Sequence, residues 1–490
     1  MTDICEYVFD PEEDNGDGRP GTSLDFVWEC PHPTYVDTDY CTFHLAHESR
    51  EILGVTEVEV RDSLLRTVEA TESGEPCRFI GATFGETVID SEVLGENTDV
   101  IDLRNTEFDG RFELDCDVVE SDILLDYSEF ERFVAPNVVF EGDVSFVGCR
   151  FEGRVNLDGA KFKGNVSFEE ASFALNAEFS DTVFEGDVDF RRSNYSGVKT
   201  TFKGAVFEGE VLMNSTNFDK VDFTGAEFYA DADFTGAVFK NEAKFQYAKF
   251  GTVSVFENAD FNGNSTFRGV KFLGYADFRD VSFQGWVSFL NVKFDRDACF
   301  ESVWFKSELN MVAESENNAV IDFSGARMGK ASFEIEPYKP VILDFTKARI
   351  GNVRLSMEGK VNNPFDNVRF IETKFNGFRF SEYADYLAET NYVIHDSVVK
   401  KDENLSASSL EKTYRLAADG AKGNARDIAS KFAKKEAKYR RERYRSEGQA
   451  LNYYVDIFRE YGLYALILVV IIGVAVVGYV YLDEIQGMLP

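Results

Sequence analysis

The sequence predicts an all-β repeat fold in which short strands stack into successive coils. Phenylalanine is strongly enriched, with 47 Phe among 490 residues. These Phe recur at a regular spacing, and glycine often follows them at a fixed distance. A residue type enriched at regular intervals fills the same slot in each structural repeat, so we expect an elongated chain of repeats rather than one large globular core.

The repeated unit is a small residue, a polar residue and then Phe, as in Ala160-Lys161-Phe162 and Ala171-Ser172-Phe173. It runs from Val144 to Phe305, and its centres lie alternately five and six residues apart. The first centres of this series are Phe146, Phe151, Leu157, Phe162, Phe168 and Phe173. The rhythm slips at Phe202 and recovers at Phe223, and looser copies extend upstream to Cys77 and downstream to Phe375.

An eleven-residue period also occurs in right-handed helical supercoils. Composition argues against helices here, because glycine recurs two residues after the centre and glycine weakens a helix interior. These glycines are Gly153, Gly164, Gly186, Gly204, Gly225, Gly236, Gly263, Gly274 and Gly285. A long simple strand is also excluded, since its side chains alternate with period two.

The pattern therefore favours a coil that turns a corner every five or six residues, with Phe inside and the preceding polar residue outside. Glycine would stand where the backbone bends or takes positive φ. Longer loops are expected near residues 313–318, 334–340 and 356–367. Such loops are where a rigid scaffold tends to carry binding residues.

The alternating A-x-F units resemble the pentapeptide-repeat family, with Phe in place of the usual central Leu. The resemblance implies a right-handed quadrilateral β-helix, here over residues 77–385. Because every second unit has one extra residue, we expect each coil to contain about 22 residues, slightly more than four pentapeptides. The family has many roles, so the resemblance predicts a fold more strongly than a function.

Residues 1–60 lack the repeat and form a predicted cap for the open edge of the first coil. This segment contains Cys5, Cys30, Cys41 and His44, and three thiolates with one imidazole suit a tetrahedral structural Zn²⁺ site. His32 and His47 are alternative ligands, and ordinary thiols without metal are the competing interpretation. Cys77 and Cys149 fall in the small inward slot of the repeat, where we expect them only to pack.

From residue 405 to 460 the apolar residues recur three and four apart, which predicts helices. A basic block in this segment contains eight cations against two acidic residues, Glu436 and Glu442. Beside a membrane, such a block is expected to contact lipid headgroups. Its cations are Lys431, Lys434, Lys435, Lys438, Arg440, Arg441, Arg443 and Arg445.

The stretch from Leu463 to Leu482 is twenty residues long and carries no charge. That length is enough to cross a bilayer core, so we predict one transmembrane helix over residues 461–483 and a short tail over 484–490. The basic block precedes the span, and the positive-inside rule therefore places the bulk of the chain in the cytoplasm.

The formal net charge is -36, which disfavours direct binding of nucleic acid. A salt-adapted surface, a solvated rod face and an acidic surface that imitates DNA all remain compatible with it. The sequence has no phosphate-binding glycine loop, nucleophile elbow or Ser/His/Asp set, so we predict that the protein is not an enzyme.

Two functional hypotheses follow. The first is a membrane-tethered scaffold that holds an unidentified protein partner, with Trp286 and Trp304 as candidate partner-binding residues. The second takes its lead from the quinolone-resistance members of the family, which imitate DNA and bind a topoisomerase. A membrane anchor argues against the second hypothesis, and homo-oligomerisation stays open under both.

Overall fold

A computed structural model describes residues 4–11, 26–72, 74–90, 99–197, 199–357, 363–395 and 405–461. The chain comprises two compact units. The first contains Met1–Leu343 and Arg354–Asn362, and the second contains Asp344–Val353 and Asn363–Pro490.

The repeats form a β-solenoid of about 13 turns with about 22 residues per coil, followed by C-terminal helices. A typical coil has four strands: Val144–Ser145, Arg150–Phe151, Val155–Asn156 and Lys161–Phe162. Each strand pairs in parallel with its equivalent in the next coil, as when Val144 pairs with Val166. Since most strands are two residues long, the chain can turn a corner directly after each inward side chain.

Along the first side of the coils, the strands are Cys77–Arg78, Val100–Asp102, Asp122–Leu124, Val144–Ser145, Val166–Ser167, Val188–Asp189, Val211–Leu212, Ala232–Asp233, Ser254–Val255, Ala276–Asp277, Ala298–Cys299, Val320–Asp322, Ile342–Asp344 and Val368–Arg369. Along the remaining sides, they are Thr83–Phe84, Thr87–Asp90, Glu107–Asp115, Val118–Val119, Glu129–Val134, Val139–Phe140, Arg150–Phe151, Val155–Asn156, Lys161–Phe162, Ser172–Phe173, Ala177–Glu178, Val183–Phe184, Asn194–Tyr195, Thr200–Thr201, Val206–Phe207, Asn217–Phe218, Val221–Asp222, Glu227–Phe228, Val238–Phe239, Ala243–Lys244, Lys249–Phe250, Asp260–Phe261, Ser265–Thr266, Lys271–Phe272, Ser282–Phe283, Val287–Phe294, Trp304–Glu314, Arg327–Ile335, Arg349–Met357 and Lys374–Phe375.

The Phe side chains point inward and stack into ladders along the axis, as predicted. Phe245 is fully buried, and its ring centroid lies 5.0 Å from that of Phe223 and 4.9 Å from that of Phe267. These separations match the spacing of hydrogen-bonded strands, about 4.8 Å, because each ring belongs to a different coil. The ladders therefore fill the interior with apolar side chains.

The polar residue before the centre also takes part in the turn that follows. The Asp222 carboxylate accepts a hydrogen bond from the Thr224 amide at 2.9 Å, and Asp233 accepts one from the Thr235 amide at 2.8 Å. Asp side chains favour such turns because the carboxylate satisfies a main-chain donor two residues later. These aspartates thus help to form the corners of the coil.

The recurring glycines are of two kinds. Gly225 has a φ of 72°, but Asp181 and Tyr247 take the same conformation at the equivalent corners, so that position does not require glycine. Gly285 does not have positive φ. A Cβ added there would lie 2.3 Å from the carbonyl oxygen of Gly263 in the preceding coil, and glycine is therefore needed for close approach.

The slip in the rhythm leaves the pairing of the coils intact. Val188 pairs with Val211, one position later in the chain than a regular coil would place its partner. Thr200 pairs with Val221, one position earlier than in a regular coil. The extra residue and the missing residue fall in corners. Consequently, in the strands before and after these corners, the same side chains still point into the core and the same ones still point outward.

Towards the end of the first unit the strands lengthen, as in Trp304–Glu314 and Arg327–Ile335. The loops predicted at 313–318 and 334–340 consequently begin about two residues later than expected, at Ser315 and Glu336. Of the third predicted loop, residues 358–362 lie outside the described residues, and Pro364–Asn367 forms a 3-10 turn.

The N-terminal segment contributes a short antiparallel hairpin, Val8–Phe9 with Trp28–Glu29, and two helices, α1 (His47–Leu53) and α2 (Glu57–Ala70). The N-terminus of α2 has a capping box, in which the Thr56 hydroxyl accepts from the Glu59 amide and the Glu59 carboxylate accepts from the Thr56 amide. Its buried residues Val60, Leu64 and Val68 recur every four positions.

The second unit contains a 3-10 turn at Phe380–Tyr383 and four helices: α3 (Ala384–Glu389), α4 (Ala407–Ala421), α5 (Arg426–Ser446) and α6 (Ala450–Tyr461). Helix α4 packs closely on strand Lys374–Phe375. At Gly420 an added Cβ would lie 2.5 Å from the Cβ of Phe375, so this approach depends on glycine.

Polar contacts also fix α4. The amide of Glu372 donates to the Thr413 hydroxyl at 2.9 Å, and its carboxylate accepts from Ser409 and Lys412. His395 lies with its Nδ1 2.8 Å from the hydroxyl of the buried Tyr414. The helix thereby covers main-chain donors at the last strands of its unit.

No helix within the described residues is both long enough and apolar enough to cross a membrane. Residues 462–483 of the predicted span, and the tail at 484–490, lie outside the described residues.

Candidate metal centre

The N-terminal hairpin brings two of the predicted ligands together. The Cys30 amide donates to the Tyr7 carbonyl at 3.0 Å, and the Cys5 amide donates to the His32 carbonyl at 3.0 Å. Cys5 and Cys30 therefore lie on adjacent, hydrogen-bonded segments at the open end of the hairpin, although they are far apart in the sequence.

The other two predicted ligands lie on a tight turn. Both the His44 amide, at 3.1 Å, and the Leu45 amide, at 3.2 Å, donate to the Cys41 carbonyl. The Cys41 amide in turn donates to the Cys5 sulfur at 3.2 Å. This main-chain hydrogen bond joins the turn to the hairpin and would stabilise a thiolate at Cys5.

One ligand atom from each of Cys5, Cys30, Cys41 and His44 lies within 4.8 Å of the other three. Cys30 Sγ is 3.7 Å from Cys41 Sγ, and His44 Nδ1 is 3.6 Å from Cys5 Sγ and 3.2 Å from Cys41 Sγ. Tetrahedral zinc bonded to sulfur at about 2.3 Å and nitrogen at about 2.0 Å would require sulfur–sulfur edges of about 3.8 Å and sulfur–nitrogen edges of about 3.5 Å. The cluster could hold a metal ion, and its donor set fits a closed four-ligand site.

The imidazole of His44 is oriented by a contact outside the cluster. Its Nε2 lies 2.9 Å from the Ile80 carbonyl, and because a carbonyl only accepts, Nε2 carries the proton. Nδ1 is then the unprotonated nitrogen that faces the thiols. The Tyr7 ring stacks on the imidazole at 3.9 Å between centroids. Such an outer hydrogen bond is typical of metal-binding histidine.

The three thiols differ in acidity. The hydrogen bond with Cys30 lowers the pKa of Cys41. The same hydrogen bond, together with burial, raises the pKa of Cys30, and burial raises the pKa of Cys5. Without a cation, the cluster therefore favours a single thiolate. A divalent metal would compensate for the charge of the others.

The two alternative histidines are not in the cluster. His32 Nε2 lies 3.4 Å from the Arg78 carbonyl, and burial lowers the pKa of its imidazole. His47 begins α1 and pairs with Glu51 one turn later, at 3.6 Å. Of the first unit's histidines, His44 is the one that the fold places against the thiols.

The cluster lies on the first coil of its own unit. The Thr83 amide donates to the Phe43 carbonyl at 2.9 Å, and the Phe43 ring is 5.0 Å from the Phe79 ring. The buried Arg50 guanidinium donates to the carbonyls of both Phe43 and Thr83. The segment thus pairs with a strand edge of the first coil that would otherwise be open.

The remaining cysteines that we assigned to packing are buried. Cys149 Sγ donates to the Leu125 carbonyl at 2.9 Å inside the solenoid, and Cys77 is buried in the first coil. Neither belongs to the metal cluster.

Both predicted partner-binding residues are exposed on the solenoid. Trp286 is 43% exposed and Trp304 is 46% exposed. The Lys306 ammonium lies 4.3 Å from the centroid of the Trp304 ring, a cation–π contact. The Trp304 ring is therefore held by a neighbouring side chain while part of it stays exposed.

The predicted membrane-surface cations all lie on α5, but they have different surroundings. Arg440 binds Asp456 at 2.7 Å, Arg441 binds Glu460, and Arg443 binds Glu411 at 2.7 Å. Lys435 is half-buried over the ring of Tyr414. The exposed cations of the block are Lys431, Lys434, Lys438 and Arg445.

Comparison with known proteins agrees with this fold. The family described as Pentapeptide repeats (9 copies) matches residues 146–194, 199–238 and 234–282. No curated protein and no solved structure matches the chain. The matched segments, residues 146–194 and 199–282, are thus similar to pentapeptide repeats, and in the structure they belong to the β-solenoid.

Proposed function

We propose that the protein is a non-enzymatic scaffold, a solenoid rod that is closed at its N-terminal end by a zinc site and tethered to the cytoplasmic face of a membrane by residues 461–483. The observation that carries this proposal is that, in each coil, the inward side chains form the core and the outward side chains face solvent. Inward positions are filled by stacked rings such as Phe245, so recognition is left to the outward positions. The four-sided coil is taken to be right-handed, as the family resemblance implies.

The exposed tryptophans support binding of a protein partner. Tryptophan is enriched at the energetic centres of protein interfaces, because it buries a large apolar area with little loss of side-chain freedom. Trp286 and Trp304 offer such area on a scaffold whose main chain is fixed by strand pairing. A partner would therefore meet a surface that needs little rearrangement.

Zinc is the metal we propose for the cluster of Cys5, Cys30, Cys41 and His44. Three sulfur ligands and one imidazole nitrogen match the preferences of Zn²⁺ better than those of Mg²⁺ or Ca²⁺, which prefer oxygen. Four protein ligands would fill a tetrahedral site and leave no position for a reacting water, so the role we propose is structural.

The membrane tether rests on the sequence of the span and on the charges that precede it. Lys431, Lys434 and Lys438 are exposed and would favour an anionic inner leaflet. Full-length protein should float with membranes in a density gradient, and a truncation to residues 1–455 should be released at high salt. Release of the full-length protein by high salt would contradict the tether.

Affinity purification from native membranes tests the scaffold itself. We expect reproducible partners with the wild-type chain, and their loss with Trp304→Ala while folding and membrane attachment persist. Tyr338→Ala is the matched control, since Tyr338 is a 90% exposed aromatic on the same unit. Wild-type samples without reproducible partners, or equal loss with both variants, would contradict the proposal.

A second candidate, an acidic DNA-mimicking rod that binds a topoisomerase, is favoured by one observation. Asp143, Asp187 and Glu210 lie at one corner in three of four successive coils, with Asn165 in the remaining one, and line a shallow groove of about 460 Å³. Their spacing is set by the coils: the Glu210 amide donates to the Asp187 carboxylate at 2.8 Å. Inhibition of topoisomerase supercoiling by the detergent-solubilised chain, abolished by Asp187→Asn, would support this candidate over the scaffold.

A further inference from the structure

Helix α6 carries an apolar stripe that the described residues leave uncovered. Leu451 is 76% exposed, and Tyr454, Val455 and Phe458 are also exposed. These four residues are spaced as i, i+3, i+4 and i+7, the pattern of one helix face. In a helix that ended in solvent, such a face would leave a continuous apolar surface in water.

The opposite face of α6 is fixed to α5. Asp456 binds Arg440 at 2.7 Å, Glu460 binds Arg441, and the Tyr453 hydroxyl accepts from Arg445 at 2.9 Å. At about 100° per residue, positions 453, 456 and 460 lie on the side of the helix opposite the apolar stripe. The ion pairs therefore hold α6 with its apolar stripe turned away from α5.

The chain beyond α6 indicates what covers this stripe. The structure describes α6 as far as Tyr461, and in the sequence the uncharged run of twenty residues starts at Leu463. If that run enters a bilayer, as in the proposed function on which this inference rests, α6 must lie at the bilayer surface. An amphipathic helix at this depth places its apolar side chains at the boundary between headgroups and acyl chains.

We propose that α6 is an interfacial helix whose stripe of Leu451, Tyr454, Val455 and Phe458 inserts into the lipid at the base of the membrane span. The antiparallel pairing with α5 supports this arrangement electrostatically. Because Arg441 binds Glu460, the C-terminal third of α5 lies beside the last described turn of α6. The exposed Lys434 and Lys438 are therefore close to the point where the chain would enter the bilayer, within reach of anionic headgroups.

Two other occupants compete for the stripe. A second copy of α6 would bury it in a dimer, and residues 463–482 folded back along α6 would cover it within one chain. A photoreactive side chain placed in the stripe would form a different covalent product with each occupant: a lipid adduct, a crosslinked dimer or an adduct to residues 463–482. A single crosslinking experiment therefore separates the three.

The experiment uses the full-length chain in vesicles of phosphatidylcholine and phosphatidylglycerol. Phe458→benzoylphenylalanine places the photoreactive group in the stripe, and Tyr338→benzoylphenylalanine is the matched control on the exposed solenoid. After irradiation, we expect about tenfold more lipid adduct at position 458 than at position 338, as direct acyl contact requires. Mass spectrometry of the peptide identifies the adduct.

A crosslinked dimer, or an adduct to residues 463–482, would overturn the inference and leave the membrane tether intact. Flotation of the same sample distinguishes failure of the interfacial-helix inference from failure of the proposed membrane tether. Vesicles that float with the protein but yield no lipid adduct at position 458 contradict only the interfacial helix. Protein that does not float contradicts both the helix placement and the tether.

Discussion

The sulfur atoms of Cys30 and Cys41 lie 3.7 Å apart. This separation is well beyond the about 2.05 Å of a disulfide bond, and it is close to the about 3.8 Å expected between two thiolates on one tetrahedral zinc ion. The pair lies where the hairpin and the turn with His44 meet, so its spacing depends on both. The separation therefore suits two ligands of one metal ion better than a disulfide crosslink.

The first prediction concerns metal content. Full-length protein made under zinc-replete conditions should contain about one zinc per chain, because the four donors form one closed site. Cys41→Ser should lose the zinc, as measured by elemental analysis. Cys149→Ser is the matched control, a buried cysteine outside the cluster, and should keep it. Wild-type protein without zinc, or Cys41→Ser protein that retains it, would refute the site.

A second prediction concerns what the metal stabilises. Chelation should speed hydrogen exchange at the Thr83 amide, which donates to the Phe43 carbonyl next to His44. Metal binding and local folding are coupled, and repeat proteins transmit instability mainly to neighbouring coils. The Lys249 amide, bonded to Ala226 in the middle of the solenoid, should be unaffected. Equal acceleration at both amides would mean global unfolding and contradict a local cap.

Much of the solenoid could be predicted from the sequence, because each coil repeats one inward slot and Phe marks it. The two kinds of glycine could not be separated in this way. Gly225 and Gly285 both follow the central Phe of their unit by two residues. Gly225 has positive φ, whereas Gly285 lies too close to the main chain of the preceding coil to accept a Cβ. That distinction depends on contacts between successive coils, which the local sequence does not specify.

The four metal-binding candidates were also predictable, since few cysteines and histidines lie outside the repeat. The Ile80 carbonyl that orients His44 was not, because any residue can supply a main-chain acceptor. Helix α2 was missed although a signal existed. Thr56 and Glu59 form a capping box, and apolar residues follow at the spacing of a helix.

The third prediction tests the aromatic ladder. Phe245→Ala should lower the free energy of unfolding by about 3–5 kcal/mol, because it removes a buried ring from between Phe223 and Phe267 and leaves a cavity. Tyr247→Ala, two residues away and 62% exposed, should change it by less than about 0.5 kcal/mol. Urea titration of both variants measures the difference. Equal effects would show that the ladder does not dominate stability.

The fourth prediction separates the two glycine positions. Gly285→Ala should destabilise the solenoid by about 1–3 kcal/mol, since the new Cβ meets the Gly263 carbonyl at 2.3 Å. Gly225→Asn should be tolerated, because Asn adopts positive φ readily and no atom lies within 4 Å of the added Cβ. Thermal unfolding of the two variants provides the comparison. A larger loss for Gly225→Asn would contradict this assignment.

The last prediction concerns the polar contact that fixes α4 in the second unit. Burial would raise the pKa of the Glu372 carboxyl, but hydrogen bonds from Lys412 and Ser409 outweigh it and lower that pKa below its ordinary value. A carboxyl whose pKa is lower in the folded state stabilises the fold above its unfolded pKa of about 4.3, and this contribution is lost as pH falls through the folded value.

Glu372→Gln should therefore cost about 1–2 kcal/mol at pH 7, and the difference from wild type should shrink as the pH falls below about 4. Urea unfolding, monitored by the circular dichroism of the helices at pH 7 and at a pH below about 4, measures this difference in the free energy of unfolding. Glu382→Gln is the control, because its pairing with Arg379 at 3.2 Å is exposed and should contribute less than about 0.5 kcal/mol. A Glu372→Gln effect that is the same at both pH values would mean that the ionised carboxylate does not hold α4 in place.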